Sequence, residues 1–203
     1  MKKKKFIYTS LITVTLLSAC GSTTKEKEET KAIVEETVKT VKNQQKSDDF
    51  REQLKAQEPA TEAQFQNWLP ENIANFNRKE FTKTRISQDN IASAGAIYNN
   101  ENDTKNLEIK IVDGASKDGL LAIQSHYMAQ TLELNNVKPS QHEKTYEKNG
   151  LKVLETYVKK DEFYRVSFLY NMRFGITIEN NGLSYDEVWQ VIDALDLKRL
   201  NSL

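Results

Sequence analysis

Residues 61–203 are predicted to fold as an α+β domain, a largely antiparallel sheet with two packed amphipathic helices. Three observations carry this. Leu107, Ile109 and Ile111 alternate strictly with Glu108 and Lys110, the period of a half-buried strand. Asn149-Gly150 separates two β-compatible runs, Lys144–Lys148 and Leu151–Val158, and supplies the positive φ that a tight hairpin turn needs at both positions. Two capping boxes, Thr61-Glu62-Ala63-Gln64 and Ser184-Tyr185-Asp186-Glu187, open helices.

In chain order, the first helix buries Phe65, Trp68 and Leu69. It stops at Pro70, because the residue before a proline is pushed out of the α region. Strands are expected over Phe76–Arg85, Ile91–Tyr98 and Leu107–Ile111, with Asn99–Asn106 a polar loop. Small residues from Ala92 to Ala96 mark a strand approached closely by another element. Ser116 is placed to cap one helix from Lys117 to Leu134. Leu120, Ile123, Tyr127 and Leu134 share a face of it, and Leu121, Met128 and Leu132 widen that face. Asn135-Asn136 is expected to close it. After the hairpin, Phe163–Tyr170 and Arg173–Glu179 read as two more strands. The last helix buries Val188, Trp189, Val191, Ile192 and Leu195. Short hairpins favour antiparallel pairing, and two amphipathic helices need the face of a sheet.

The head of the chain is different. Lys2–Lys5 form a positive patch, and Phe6–Leu17 form an apolar run of twelve residues. That length suits a secretory signal and is short of the roughly 18 that a spanning helix needs. Leu17-Ser18-Ala19-Cys20 follows, ahead of Gly21. These residues resemble the lipobox of bacterial lipoproteins. The resemblance implies cleavage before Cys20, a diacylglycerol thioether on its sulfur, and acylation of the new amino group by a palmitate-class chain. It places the protein outside the cytoplasm, on the cell membrane or an outer membrane, with the membrane itself as its first partner. Each buried methylene contributes ~0.8 kcal/mol, so two or three chains hold firmly where one does not.

Residues 1–19 are thus read as leader, 20–60 as tether and 61–203 as the globular domain. The tether is rich in charges of both signs and nearly free of aromatics, so it buries too little to offset its ordering entropy. Val34, Val38 and Val41 recur at helical spacing, Glu35 and Lys39 are an i,i+4 pair, and Phe50 and Leu54 add a weak turn. The tether is flexible or partly helical, and forty coil residues reach ~35 Å.

Charge narrows the function. Without the four leader lysines the chain keeps 25 basic against 29 acidic side chains, a net of −4. That is no footprint for nucleic acid. The one cysteine is taken by the anchor, which leaves neither a disulfide nor a thiol nucleophile. His126 and His142 are the two histidines, with no HExxH or HxxxH spacing, so neither metal nor cofactor is expected. Gly114-Ala115-Ser116-Lys117-Asp118-Gly119 imitates a phosphate loop, but Leu120 and Leu121 stand where Lys and Ser/Thr belong. A strand-to-helix turn accounts for it. No catalytic residue stands out. Arg165 and Arg173 lie among aromatics; reading an anionic ligand is one role for them, and pairing with acids such as Glu155 or Glu179 is the expected one.

Tyr164, Val166, Phe168 and Tyr170 are assigned to the core face of their strand. Phe163, Arg165 and Leu169 fall on the other side and form a candidate partner surface unless a helix covers them. The order of elements is similar to that of PsbP/Mog1-like domains. The domain also resembles a family of small envelope lipoproteins of uncharacterised activity. Leu69-Pro70 before Phe76, Ala96–Tyr98, Ile111–Gly114 and Asp196-Leu197 carry that likeness. The expected function is a non-catalytic, lipid-anchored binding or envelope-maintenance module with an envelope protein as possible partner. Two other classes stay open: a hydrolase-type enzyme with an unrecognised carboxylate or Ser/Tyr site, and an inhibitor or immunity lipoprotein.

Overall fold

The computed structural model describes residues 48–83 and 91–203. Cys20, the residues read as a lipobox and the valines of the expected tether lie outside the described residues. So do the last two residues of the strand expected over Phe76–Arg85.

The chain enters through a helix over 48–55 (α1), and a second helix, α2 (Glu62–Trp68), carries the expected capping box: the Thr61 hydroxyl accepts from the Gln64 amide, and the Gln64 side chain accepts from Thr61. β1 (Asn72–Ile73), β2 (Phe76–Lys83), β3 (Ser93–Asn100) and β4 (Asn106–Asp113) follow. Then come α3 (Ser116–Ala122), α4 (Gln124–Thr131), β5 (Asn135–Lys138), β6 (Gln141–Lys148), β7 (Leu151–Val158), β8 (Phe163–Tyr170), β9 (Phe174–Asn181) and α5 (Tyr185–Ala194). All nine strands join one antiparallel sheet in the order β1-β2-β3-β4-β9-β8-β7-β6-β5. The chain grows from one edge to the middle, crosses to the other edge through α3 and α4, and fills back by hairpins.

The fold is therefore α+β, as the alternation and turn signals predicted. The Asn149-Gly150 turn has positive φ at both residues, 52° and 77°. Ser184 caps α5 with its full box. Two expectations need correcting. The helix from Lys117 to Leu134 is two helices, broken at Ile123, where φ −87° and ψ 3° leave the α region. It also ends early, at Thr131. Asn135 and Asn136, poor helix formers, are instead the first residues of β5 and pair with Lys144 and Glu143. As a result Leu121, Met128 and Leu132 do not join the buried face but stand 69%, 47% and 38% exposed.

Helices cover both faces of the sheet. On the first face α2 and α5 bury Phe65, Trp68, Val188, Val191 and Ile192 against Leu107, Ile109, Ile111, Val166, Phe168, Ile176 and Ile178. This is the main core, and Tyr164, Val166 and Phe168 face it as expected. On the second face a smaller cluster joins Leu54 of α1, Leu120, Ile123 and Leu169, with Phe50, Val112, Tyr127 and Met172 beside them. The folded part thus begins before Thr61: Leu54, assigned to the tether, is fully buried.

A buried ion pair fastens the entry of the chain to the centre of the sheet. Asp113 is wholly buried at the end of β4. Its carboxylate accepts from Arg173 Nε and Nη2, both at 2.7 Å, from the Ala60 amide at 2.8 Å and from the Ala115 amide at 2.9 Å. Such a forked, fully bonded arrangement is what allows a charge pair to sit in a low dielectric. Arg173 therefore pairs with Asp113, and neither Glu155 nor Glu179 is its partner.

Candidate functional site

Cross-strand register places the polar side chains of the second sheet face in rows. One row runs Glu143, Thr156, Arg165, Glu179 and Glu108 across β6, β7, β8, β9 and β4. The next runs Leu154, Ser167, Thr177 and Lys110. A third holds Leu169, Gly175 and Val112. α3 and α4 lie over the third row, where Leu169 packs into the helix cluster. The first two rows remain open. All of their residues except Glu108 join Ser125 and His126 of α4 in lining a cavity of about 360 Å³. On this face helices thus bury the third row and leave the first two as a groove.

His126 forms the groove's wall because residue 175 is glycine. A Cβ there would lie 2.6 Å from His126 Nδ1, so only a bare backbone lets the ring rest on β9. The ring's Nε2 is 2.9 Å from Thr177 Oγ1, and Thr177 Oγ1 is 3.2 Å from Ser167 Oγ. Nδ1 is buried without a hydrogen-bond partner. Burial lowers the imidazole pKa to about 4, so the ring is neutral at pH 7.

Charges on the floor cancel locally. Glu179 accepts from Lys110 Nζ at 2.6 Å and from Arg165 Nε at 2.7 Å, and Lys110 also meets Glu108 at 3.1 Å. Burial pushes the Glu179 carboxyl up, but Lys110 and Arg165 outweigh it and the net shift is downward. Burial likewise pulls Lys110 down, and Glu179 and Glu108 reverse it to a net rise. Both shifts keep the pair ionised. Arg165 behaves as the sequence suggested, paired with Glu179, and its guanidinium also lies 5.2 Å from the Phe163 ring centroid.

Of the three residues assigned to a partner surface, only Arg165 lines the groove. Phe163 is half-buried beside it. Leu169 is a correction: it is 7% exposed and packed under α1, α3 and α4. The covering helix that would remove an exposed patch is present at the Leu169 end of β8 and absent at the Arg165 end.

A second polar cluster lies on the first face around Glu155, which the sequence offers only as a partner for an arginine. Glu155 is 1% exposed and accepts from Tyr146 Oη at 2.5 Å, His142 Nε2 at 2.6 Å and Lys144 Nζ at 3.1 Å. The Tyr164 hydroxyl belongs to the same cluster but is buried without a hydrogen bond of ordinary geometry, so the three bonded donors carry the carboxylate. Burial pushes Glu155 up, the surrounding donors reverse this, and its pKa is lowered. Burial and Glu155 together push both tyrosine hydroxyls upward. Tyr146 also accepts from Trp189 Nε1 of α5 at 3.2 Å. The cluster ties β6 to β7 and α5. Its signal in the sequence was an acid at a position where the alternation of β7 calls for an apolar residue.

The glycine-rich loop is a strand-to-helix turn; Ser116 is the first residue of α3, with Ala115 at the N-cap, and Ser116 Oγ accepts from the Gly119 amide at 3.1 Å. Among the described residues no group of three or more His, Cys, Asp or Glu could hold a metal ion, and no helix is long and apolar enough to cross a membrane. A larger cavity of about 740 Å³ lies where the 55–60 connection passes Ile91, Ala92 and the start of α3. It adjoins, in sequence, residues outside the described part. Comparison with protein-family models, with curated proteins and with solved structures found no match.

Proposed function

We propose that the chain is a lipid-anchored, extracytoplasmic binding module and that its ligand sits in the groove beside α4. One observation carries the reading. Helices bury the central strands on one face of the sheet and the Leu169 end of the other, and the part of that second face left open is a concave, polar floor with Arg165, Ser167, Thr177 and Lys110 fixed by their neighbours. Ligand seats are concave, with convergent polar groups that fix the ligand's orientation, and every residue lining this one except Leu154 is polar. The lipobox residues Leu17–Cys20 and the tether support a place at a membrane surface, with the groove free to meet envelope components.

Binding is favoured over catalysis by the basicity of the one histidine in the groove. His126 and Thr177 are at hydrogen-bond distance, as base and nucleophile would be. Yet a ring whose pKa is about 4 is a weak base at neutral pH, and its Nδ1 has no partner to orient it.

Two measurements test the proposal. A photo-crosslinker placed at Thr156 should yield an adduct on living cells that Ser167→Trp, which fills the floor, removes. Adducts of equal yield from Glu101, on the β3–β4 turn, or persistence in the Ser167→Trp variant, would show that the groove is not the seat. Intact mass of purified protein should begin at Cys20 and exceed the bare polypeptide by on the order of several hundred daltons. Cys20→Ala should leave the protein soluble or unprocessed, and unchanged membrane retention would remove the anchor.

A further inference from the structure

We infer that the groove takes a neutral, polyhydroxylated ligand, a saccharide unit of one or two rings. This rests on the groove being the ligand seat and adds what that seat selects.

Charge is the first argument. The lining holds two cations, Lys110 and Arg165, and two carboxylates, Glu143 and Glu179. Both cations already contact Glu179, at 2.6 and 2.7 Å. An anion would have to displace a carboxylate whose pairing is strong enough to lower its pKa. A cation would face the same guanidinium and ammonium. The four lining charges sum to zero, and His126 adds none.

Hydrogen-bonding capacity is the second. Ser125, Thr156, Ser167 and Thr177 present hydroxyls, each both donor and acceptor. The Lys110–Glu179–Arg165 chain shows cationic N–H groups and carboxylate lone pairs side by side. A donor next to an acceptor is the complement of two adjacent hydroxyls on a sugar ring, each of which can give one hydrogen bond and take another. Charge-assisted bonds of this kind are the strong ones. Leu154 offers the apolar patch that the C–H face of a ring needs. The volume, about 360 Å³, lies at the small end of ligand pockets, roughly 300–1,000 Å³.

Rigidity is the third. Seat residues sit on five adjacent strands, with Thr177 held between His126 and Ser167. Polyol recognition needs such preorganisation, since each hydroxyl competes with water and only positioned partners win.

The test uses the detergent-solubilised full chain on a glycan array carrying neutral, anionic (sulfated and uronate) and cationic (amino-sugar) saccharides. Binding to one or more neutral glycans is expected, little changed between 50 and 500 mM salt, because no net charge is neutralised on binding. Thr156→Val and Ser167→Val should each weaken it about five- to tenfold, the effect of one lost hydrogen bond. Binding only to anionic or cationic glycans, with a steep salt dependence, would overturn the ligand class. If the valine variants weakened that binding too, the groove would still be the seat. Neutral-glycan binding untouched by either variant would place the ligand elsewhere and refute both statements. Binding to none of the three sets would overturn the saccharide inference and leave the groove to the crosslinking experiment.

Discussion

Replacing Asp113 by alanine should cost about 4 kcal/mol of folding stability. The carboxylate is wholly buried and accepts four hydrogen bonds, two from the Arg173 guanidinium and one each from the Ala60 and Ala115 amides. Breaking a buried ion pair by removing one partner costs ~3–5 kcal/mol, because the remaining charge is stranded. Here the Arg173 side chain keeps 11% exposure and can recruit some water, which favours the low end of that range. Two backbone N–H groups lose their acceptor as well, at ~1–3 kcal/mol each if no water replaces it. With ~3 kcal/mol for the stranded guanidinium and ~1 kcal/mol for two amides that water partly satisfies, the total is about 4 kcal/mol. With a urea slope of roughly 2 kcal/mol/M, the unfolding midpoint should fall by about 2 M. Adding Arg173→Met should restore part of the loss, since the double variant leaves no unpaired charge, and the coupling in the double-mutant cycle should exceed about 2 kcal/mol. A midpoint shift under ~0.5 M for Asp113→Ala, or strict additivity with Arg173→Met, would refute the view that this pair fastens the entry segment.

Three further outcomes follow from the groove and its wall. Gly175→Ala should destabilise by ~1–3 kcal/mol, because its methyl meets the His126 ring at 2.6 Å, and should become nearly neutral in a His126→Ala background; equal costs in both backgrounds would discount the contact. His126 should make the protein acid-sensitive above the carboxylate range. Its folded pKa of about 4 lies below the ~6.5 of an unfolded chain, so the unfolded state binds the extra proton. The stability from the neutral ring is complete above pH ~6.5 and drains as pH falls towards 4, by ~2–3 kcal/mol. His126→Gln should flatten urea midpoints between pH 7 and 4.5, and an unchanged pH slope would count against it. Leu169→Ala should destabilise by ~2–4 kcal/mol, as a buried leucine does, without touching ligand capture at the groove; a selective loss of capture would restore it to the binding surface.

Features legible in the sequence were those written in local patterns. Strand alternation at Leu107–Ile111, the two capping boxes and the Asn149-Gly150 turn each depend on neighbours in the chain, and each appears where its residues place it. What the sequence obscured was decided by distant contacts. The break at Ile123 has no proline or terminal glycine to announce it. At the break Ile123 is buried with Leu120 and Leu169, a contact between distant parts of the chain. Strand β5 is exposed throughout, so it carries no apolar alternation, and only pairing with β6 makes it a strand. The site was half legible. Arg165 and its acid partner could be proposed from charge alone, but Ser167, Thr177 and Lys110 look like ordinary solvent-side residues until the register aligns them. Leu169 was misplaced because alternation gives the side of a sheet and says nothing about which part of that side a helix covers. Glu155 stands at an inward position of β7, but its partners Tyr146, His142 and Lys144 gather around it only once β6 and β7 are paired.

The point at which the entry segment is fastened has a mechanical consequence. Ala60 is pinned to Asp113 and Glu58 to Arg173, residues that end β4 and precede β9, the fourth and fifth strands of nine. Drag arriving through the N-terminal chain is therefore delivered to the interior of the sheet. An outermost strand could be peeled off one ladder at a time, whereas an interior strand is gripped on both flanks and must give up two ladders together. A molecule tugged from this end would resist as a block, and the hairpins that floor the groove would keep their spacing under load.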